Sequence, residues 1–260
     1  MPVIDAGAFK VDVEQTGAGR PLVLLHSLLA DRSAFDRVVP ALSNRHRLVL
    51  VNLPGYGASS PAGGSIEDYA DWVAAVVQKM ELKRPDVLGN GFGGFIAVAA
   101  AARHGELFER LIAAPALVAF PEPAKQPLRA LAGRVEKEGM SGALDIAIRR
   151  MFPESFIAAH PEVVAERKRA LEKADAGCFR TACLALAELD LSAVLIGIGN
   201  RALVMAGSDD ATTPPALARE LASEIPGARF LEIAGCGHCP QIEKPRAFVE
   251  AVEGFLASAR

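Results

Sequence analysis

Three places in this chain carry residue types that move protons or hold a developing negative charge. The first is Val87-Leu88-Gly89-Asn90-Gly91-Phe92-Gly93-Gly94-Phe95, which reads as an apolar strand end, a glycine turn and the start of a small-residue helix. That is the setting of the G-x-S-x-G elbow, where a strained strand-to-helix turn holds a reactive oxygen above a sheet. The elbow position here is Gly91, so a hydrogen stands where a CH2–OH is expected. The second place is the apolar run Ala202–Ala206, which leads through Gly207 and Ser208 into Asp209 and Asp210 and then Thr212-Thr213-Pro214-Pro215. The third, Gly235-Cys236-Gly237-His238, follows one helix and another strand, Arg229 to Ile233. A histidine base oriented by a carboxylate beside an oxygen nucleophile is the chemistry of acyl transfer. Here a histidine and two carboxylates are present and an oxygen at the elbow is not.

An elbow, then an acid after a strand, then a histidine in a glycine-rich loop is the chain order of α/β hydrolases. The sequence resembles that superfamily, and within it small esterases, 3-oxoadipate enol-lactonases and meta-cleavage-product hydrolases, in which G-N-S-x-G-G is a familiar elbow. The resemblance implies that His238 is the general base and Asp210 the residue that orients it; Asp209 is one place out of register with the family pattern. Leu22-Val23-Leu24-Leu25-His26-Ser27-Leu28 resembles the strand and H-G-x turn that supplies one oxyanion-hole N–H, here from Leu28, with Ser27 in place of the usual glycine. The second N–H is implied at Phe92. Asn52 to Ser59 resembles the family's D-x-P-G-x-G-x-S turn, with Asn52 replacing aspartate. His26 is expected to be a structural donor. Five landmarks in register make the resemblance specific where each alone is weak.

The resemblance implies an α/β-hydrolase fold: a mostly parallel sheet, helices on both faces, and an inserted helical cap. The core is expected in residues 1–119 and 191–260 and the cap in 120–190. It also implies hydrolysis of a small-molecule ester, lactone or ring-fission product, with no cofactor and no metal. Relatives with an aspartate nucleophile are set aside because the elbow has no carboxylate. Halide-binding relatives use a tryptophan after the nucleophile, whereas Phe92 stands here and the one tryptophan is Trp72. Epoxide-opening relatives use cap tyrosines, whereas Tyr56 and Tyr69 lie outside the expected cap.

Glycine at 91 leaves three explanations open: an engineered or recently lost serine, a natural enzyme that activates water with His238, or a non-catalytic binder of small ligands. Glycine adopts the positive-φ elbow without the strain of a side chain. Backbone oxyanion donors survive the substitution; an acyl-enzyme at 91 does not.

The 260 residues are 51% hydrophobic and 23% charged, with formal net charge −3, so a large core is affordable and disorder is not expected. No basic block marks a nucleic-acid surface. Met1 to Lys10 lacks a charged segment followed by an apolar one, and no apolar run is long enough to span a bilayer, so a cytoplasmic protein is expected. Homodimerisation is left open. Cys178, Cys183, Cys236 and Cys239 are expected as free thiols, the last two packing round the histidine loop.

Strands are expected from Ala8 to Thr16, Pro21 to His26, Leu48 to Leu53 and Leu111 to Val118, with a helix from Asp31 to Leu42. Ile66 to Met80 carries Tyr69, Trp72, Val73, Val76, Val77 and Met80 on one helical stripe. Between Phe120 and Leu189 strand-like runs vanish and helical stretches replace them, at Leu128 to Lys137, Gly142 to Met151 and Pro161 to Ala174. Leu128, Leu131, Ile146, Met151, Phe152 and Phe156 suit a compact apolar acyl group, Arg149, Arg150 and Arg180 are candidates to meet a substrate carboxylate, and Ser27 is a further candidate to bind substrate. Lys244 to Leu256 reads as a closing helix.

Overall fold

The computed structural model describes residues 3–5 and 9–258. Strands β1 (Val3–Asp5), β2 (Lys10–Thr16), β3 (Arg20–Leu25), β4 (His46–Val51), β5 (Asp86–Gly89), β6 (Arg110–Ala113), β7 (Arg201–Gly207) and β8 (Arg229–Ile233) form one sheet. Their order is β1-β2-β4-β3-β5-β6-β7-β8. β1 runs antiparallel to β2, and β2 antiparallel to β4; from β4 onward every pairing is parallel. The helices are α1 (Val39–Leu42), α2 (Ile66–Lys79), α3 (Phe92–Arg103), α4 (Glu122–Glu138), α5 (Leu144–Met151), α6 (Glu154–Ala159), α7 (Pro161–Leu171), α8 (Ala176–Ala187), α9 (Pro215–Glu224), α10 (Pro240–Glu243) and α11 (Pro245–Ala257).

Side chains alternate across each strand, so one apolar run feeds two layers. Leu22, Leu24, Leu48, Leu50, Leu88 and Ile112 face the layer of Phe35 and of Phe248, Val252 and Phe255 on α11. Val23, Leu25, Val49, Val51, Val87 and Leu111 face the layer that holds the apolar stripe of α2 and the alanine-rich α3. Burying both faces leaves only the strand ends for chemistry. The loops after β3, β5, β7 and β8 all emerge at the carboxyl ends of parallel strands, where open α/β sheets place their ligands.

Four local expectations change. Asp31 to Leu42 is a 3-10 turn at Arg32–Phe35 and the short α1, not one helix. Asp31 accepts the backbone N–H of Ser33 and closes the first turn, and Pro40 lies at the start of the second. The strand expected from Leu111 to Val118 stops at Ala113, because Pro115 has no N–H to continue the ladder. The strand expected from Ala8 to Thr16 is β2, which begins at Lys10 and is preceded by β1; Ala8 lies outside the described residues. Within residues 120–190, α6 and α8 join the three expected helical stretches. The two ends of this insertion meet: Ala119 bridges Asp190, and the Leu191 N–H bonds the Val118 carbonyl at 3.0 Å.

Candidate active site

Gly91 ends the turn between β5 and α3 with φ 53° and ψ −117°. Most side chains resist that conformation, which costs of order 1–3 kcal/mol elsewhere. The turn must also be tight: a Cβ on Gly93 would lie 2.2 Å from the Leu25 carbonyl oxygen. Asn90 ties the turn to the rest of the site. Its amide donates to the carbonyls of Ala114 and, at 3.0 Å, of His238, while its oxygen accepts from Gln241 at 2.9 Å.

Asp210 and His238, from loops after β7 and β8, are both buried, and His238 Nδ1 lies 2.9 Å from Asp210 Oδ2. Asp210 accepts further bonds from the N–H groups of Thr212 at 2.8 Å and Thr213 at 2.9 Å, and from the Thr213 hydroxyl at 2.5 Å. Burial alone raises a carboxyl pKa; the adjacent His238 and the Thr213 bonds outweigh it and hold Asp210 below its usual range. An ionised Asp210 accepts Nδ1–H and leaves His238 Nε2 as the free basic nitrogen. Asp209 is exposed and takes the Ser208 hydroxyl instead.

His238 Nε2 faces Gly91. A Cβ built on Gly91 would stand 2.7 Å from that nitrogen and 2.8 Å from Ser27 Oγ. Three chain segments thus converge on one small gap. The loop that carries Ser27 and Leu28 is braced from below by His26, whose Nδ1 bonds the Ser27 carbonyl at 2.8 Å while its Nε2 accepts the Leu53 N–H at 2.9 Å. Burial lowers His26 to about 4, so it is neutral and structural, as expected. The Tyr56 hydroxyl holds the Leu28 carbonyl at 2.5 Å. With both carbonyls engaged, the backbone N–H of Leu28 stays unbonded, as does that of Phe92, among the described residues.

Ser27, Leu28, Gly91, Phe92 and His238 line a small, mainly apolar cavity. Leu128, Leu131, Arg150 and Leu186 of the inserted segment form its far wall. Residues 120–190 are stitched to the loops after β7 and β8 at the end of α5, where helix carbonyls lack intrahelical partners. There the Arg150 carbonyl accepts the Thr212 hydroxyl at 2.8 Å, and the Met151 carbonyl accepts the His238 N–H at 3.1 Å.

The family model described as the alpha/beta hydrolase family matches residues 22–251. The chain belongs to the α/β-hydrolase family. It is 31% identical to a pimeloyl-acyl-carrier-protein methyl ester esterase of Aeromonas hydrophila, over 95% of this chain and 99% of that one. It is 28% identical to 3-oxoadipate enol-lactonase 2 of Acinetobacter baylyi, over 92% of this chain and 90% of that one. Among solved structures, the enol-lactonase from Burkholderia xenovorans superposes with a TM-score of 0.93 at 28% identity, covering 99% of this chain and 100% of that one.

Within this α/β-hydrolase fold the arginine candidates separate. Arg150 lines the cavity, whereas Arg149 is exposed. Neighbours on a helix project about 100° apart, so one turn of α5 aims only one of them inward. Arg180 does not line the cavity; it is about half exposed and 3.5 Å from Glu136. Burial lowers the Arg150 pKa, with Cys183 and Asp210 opposing, and no carboxylate pairs with its guanidinium among the described residues. Of the apolar candidates, Leu128 and Leu131 line the cavity. Met151 and Phe152 are buried within the insertion, Phe152 stacking on Phe156 at 4.7 Å, and Ile146 packs against the same core. Thr213 and Asn90 are the site residues that sequence reasoning passed over; their only signal was a polar residue beside a motif. Cys236 and Cys239 are buried free thiols beside His238.

Proposed function

We propose that this chain hydrolyses small carboxylic esters or lactones, with His238 as general base, Asp210 as its orienting carboxylate and the Leu28 and Phe92 N–H groups as oxyanion donors. The observation that carries this is the buried Asp210–His238 pair, whose free Nε2 opens on the cavity beside Gly91. An esterase and enol-lactonases among the relatives support the substrate class. Residues 120–190 act as the cap, with residues 1–119 and 191–260 as the core. Leu128, Leu131 and Leu186 favour a compact apolar acyl group. Arg150, charged and unpaired on the cavity wall, selects substrates that carry a carboxylate of their own.

Gly91 supplies no nucleophile, so His238 activates an oxygen from elsewhere in the cavity. The test is turnover of a panel of p-nitrophenyl esters and enol-lactones, each with and without a free carboxylate, by the wild-type chain and by His238→Ala and Arg150→Gln. Turnover lost in His238→Ala, with KM raised about tenfold in Arg150→Gln for the acidic substrates alone, is the expected result. A folded wild-type chain that turns over none of the panel overturns the reading.

A further inference from the structure

We propose that the hydroxyl of Ser27 is the nucleophile, placed on the wall of the cavity opposite the elbow. This rests on the hydrolase reading above. Ser27 Oγ and His238 Nε2 lie 2.8 and 2.7 Å from the same point, the site of the absent Cβ of residue 91. The two atoms are therefore less than two hydrogen-bond lengths apart, each ~3 Å. Both side chains border the same gap, so the hydroxyl reaches the base by moving within it. Its present engagement is slight: Oγ accepts the Leu29 N–H at 3.4 Å, and its own proton has no acceptor among the described residues. A buried hydroxyl with a spare proton beside a buried imidazole with a spare lone pair is a nucleophile and base awaiting a substrate.

The backbone around Ser27 meets the second requirement, an oxyanion donor in register with the attacking oxygen. In the elbow, the N–H of residue 92 follows the position that normally bears the nucleophile. Leu28 N–H follows Ser27 in the same way, so an N–H next in the chain accompanies this oxygen too. The Ser27 carbonyl is held by His26 at 2.8 Å and by the Ala30 N–H at 3.2 Å, which fixes the backbone that carries the hydroxyl. Ser27 is 1% exposed, yet it lines the cavity.

The step balances without any further reactant. Ser27 Oγ bonds to the substrate carbonyl carbon as its proton passes to His238 Nε2, and the carbonyl oxygen becomes an oxyanion against Leu28 and Phe92. Collapse breaks the bond to the alcohol oxygen, which takes the proton from His238 and leaves an ester on Ser27. Water then attacks that ester, giving its proton to Nε2, and the acid departs as Ser27 Oγ recovers the proton.

A fluorophosphonate probe and p-nitrophenyl butyrate test this on the full-length protein, with peptide mapping by mass spectrometry. Expected are an adduct on Ser27, a burst of p-nitrophenolate, and loss of both in Ser27→Ala, with kcat down at least about 10³-fold and KM nearly unchanged. Ser27→Gly serves as the second variant, since glycine is the usual residue of this turn. An adduct is a readout that a merely structural serine does not give. Turnover within about threefold of wild type in a folded Ser27→Ala or Ser27→Gly, with no adduct at Ser27, overturns the proposal in favour of water and leaves the hydrolase reading standing. A folded wild-type chain with neither adduct nor turnover overturns both.

Discussion

Asp210 and Asp86 are buried carboxylates on one sheet, and they sit at its opposite ends. Asp86 opens β5; Asp210 lies beyond the carboxyl end of β7. Asp210 accepts two backbone N–H groups, a threonine hydroxyl and a histidine, and its pKa falls. Among the described residues neither oxygen of Asp86 has a hydrogen-bond partner, and Arg110 Nη1 lies 3.5 Å from one of them. Burial pushes Asp86 up to about 6, and the pull of Arg110 and Arg20 only partly opposes it. Equal burial thus yields opposite charge behaviour, and the donors decide it. Loops that leave the carboxyl ends of parallel strands present unbonded N–H groups; the first residue of a central strand has none to spare.

The strongest way to break the contrast is to remove what Asp210 orients. His238→Ala and Asp210→Asn should each lower kcat on the best ester by about 10⁴-fold, with melting temperature little changed. A loss under tenfold in Asp210→Asn means that the carboxylate does not set the tautomer of His238.

Asp86 tests the other end. Its folded pKa lies above the unfolded one, so the folded state binds the extra proton between the unfolded value of 3.8 and about 6. Stability therefore falls as pH rises through that window, and the full cost is present above it. Asp86→Asn should stabilise the protein at pH 7.5 by up to about 3 kcal/mol, with the gain fading as pH approaches 4. Urea unfolding at the two pH values measures it; equal effects at both remove the charge explanation.

Thr213→Val keeps the two backbone bonds to Asp210 and deletes the hydroxyl shared between Asp210 and His238. A fall in kcat of about tenfold is expected, in line with one charge-assisted bond. No change would assign the ordering of the pair to the backbone alone.

The smallest effect concerns the gap itself. A serine at 91 meets Ser27 Oγ and His238 Nε2 below ordinary contact distance, so Gly91→Ser needs both to withdraw. The double variant Gly91→Ser with Ser27→Gly should exceed the single variant in ester turnover by about threefold, because it removes one of the two clashes. Equal rates would show that Ser27 rotates away freely.

Much of the site was legible from residues alone. The elbow, the acid after a strand and the histidine in its glycine loop are local patterns, each carried by a few adjacent residues, and their chain order follows from the topology of parallel strands. The apolar stripe of α2 and the alanine-rich α3 were legible for the same reason, since helical periodicity is written within a few turns. The 3-10 turn at Arg32–Phe35 and the early end of β6 were harder, because there a cap or a proline overrides the hydrophobic pattern.

What only the tertiary structure decided depends on segments distant in sequence. That Arg150 rather than Arg149 or Arg180 meets the cavity follows from how α5 and α8 lie over the strand ends. That Thr213 bonds both members of the pair needs loops after β7 and β8 brought together. That Ser27 and His238 close on the space left by Gly91 needs β3, β5 and β8 in one sheet. Sequence by itself determined which residue types stand at each strand end, because those are set by short-range pattern. Their partners were set by packing, where atoms hundreds of bonds apart come within a hydrogen bond of one another.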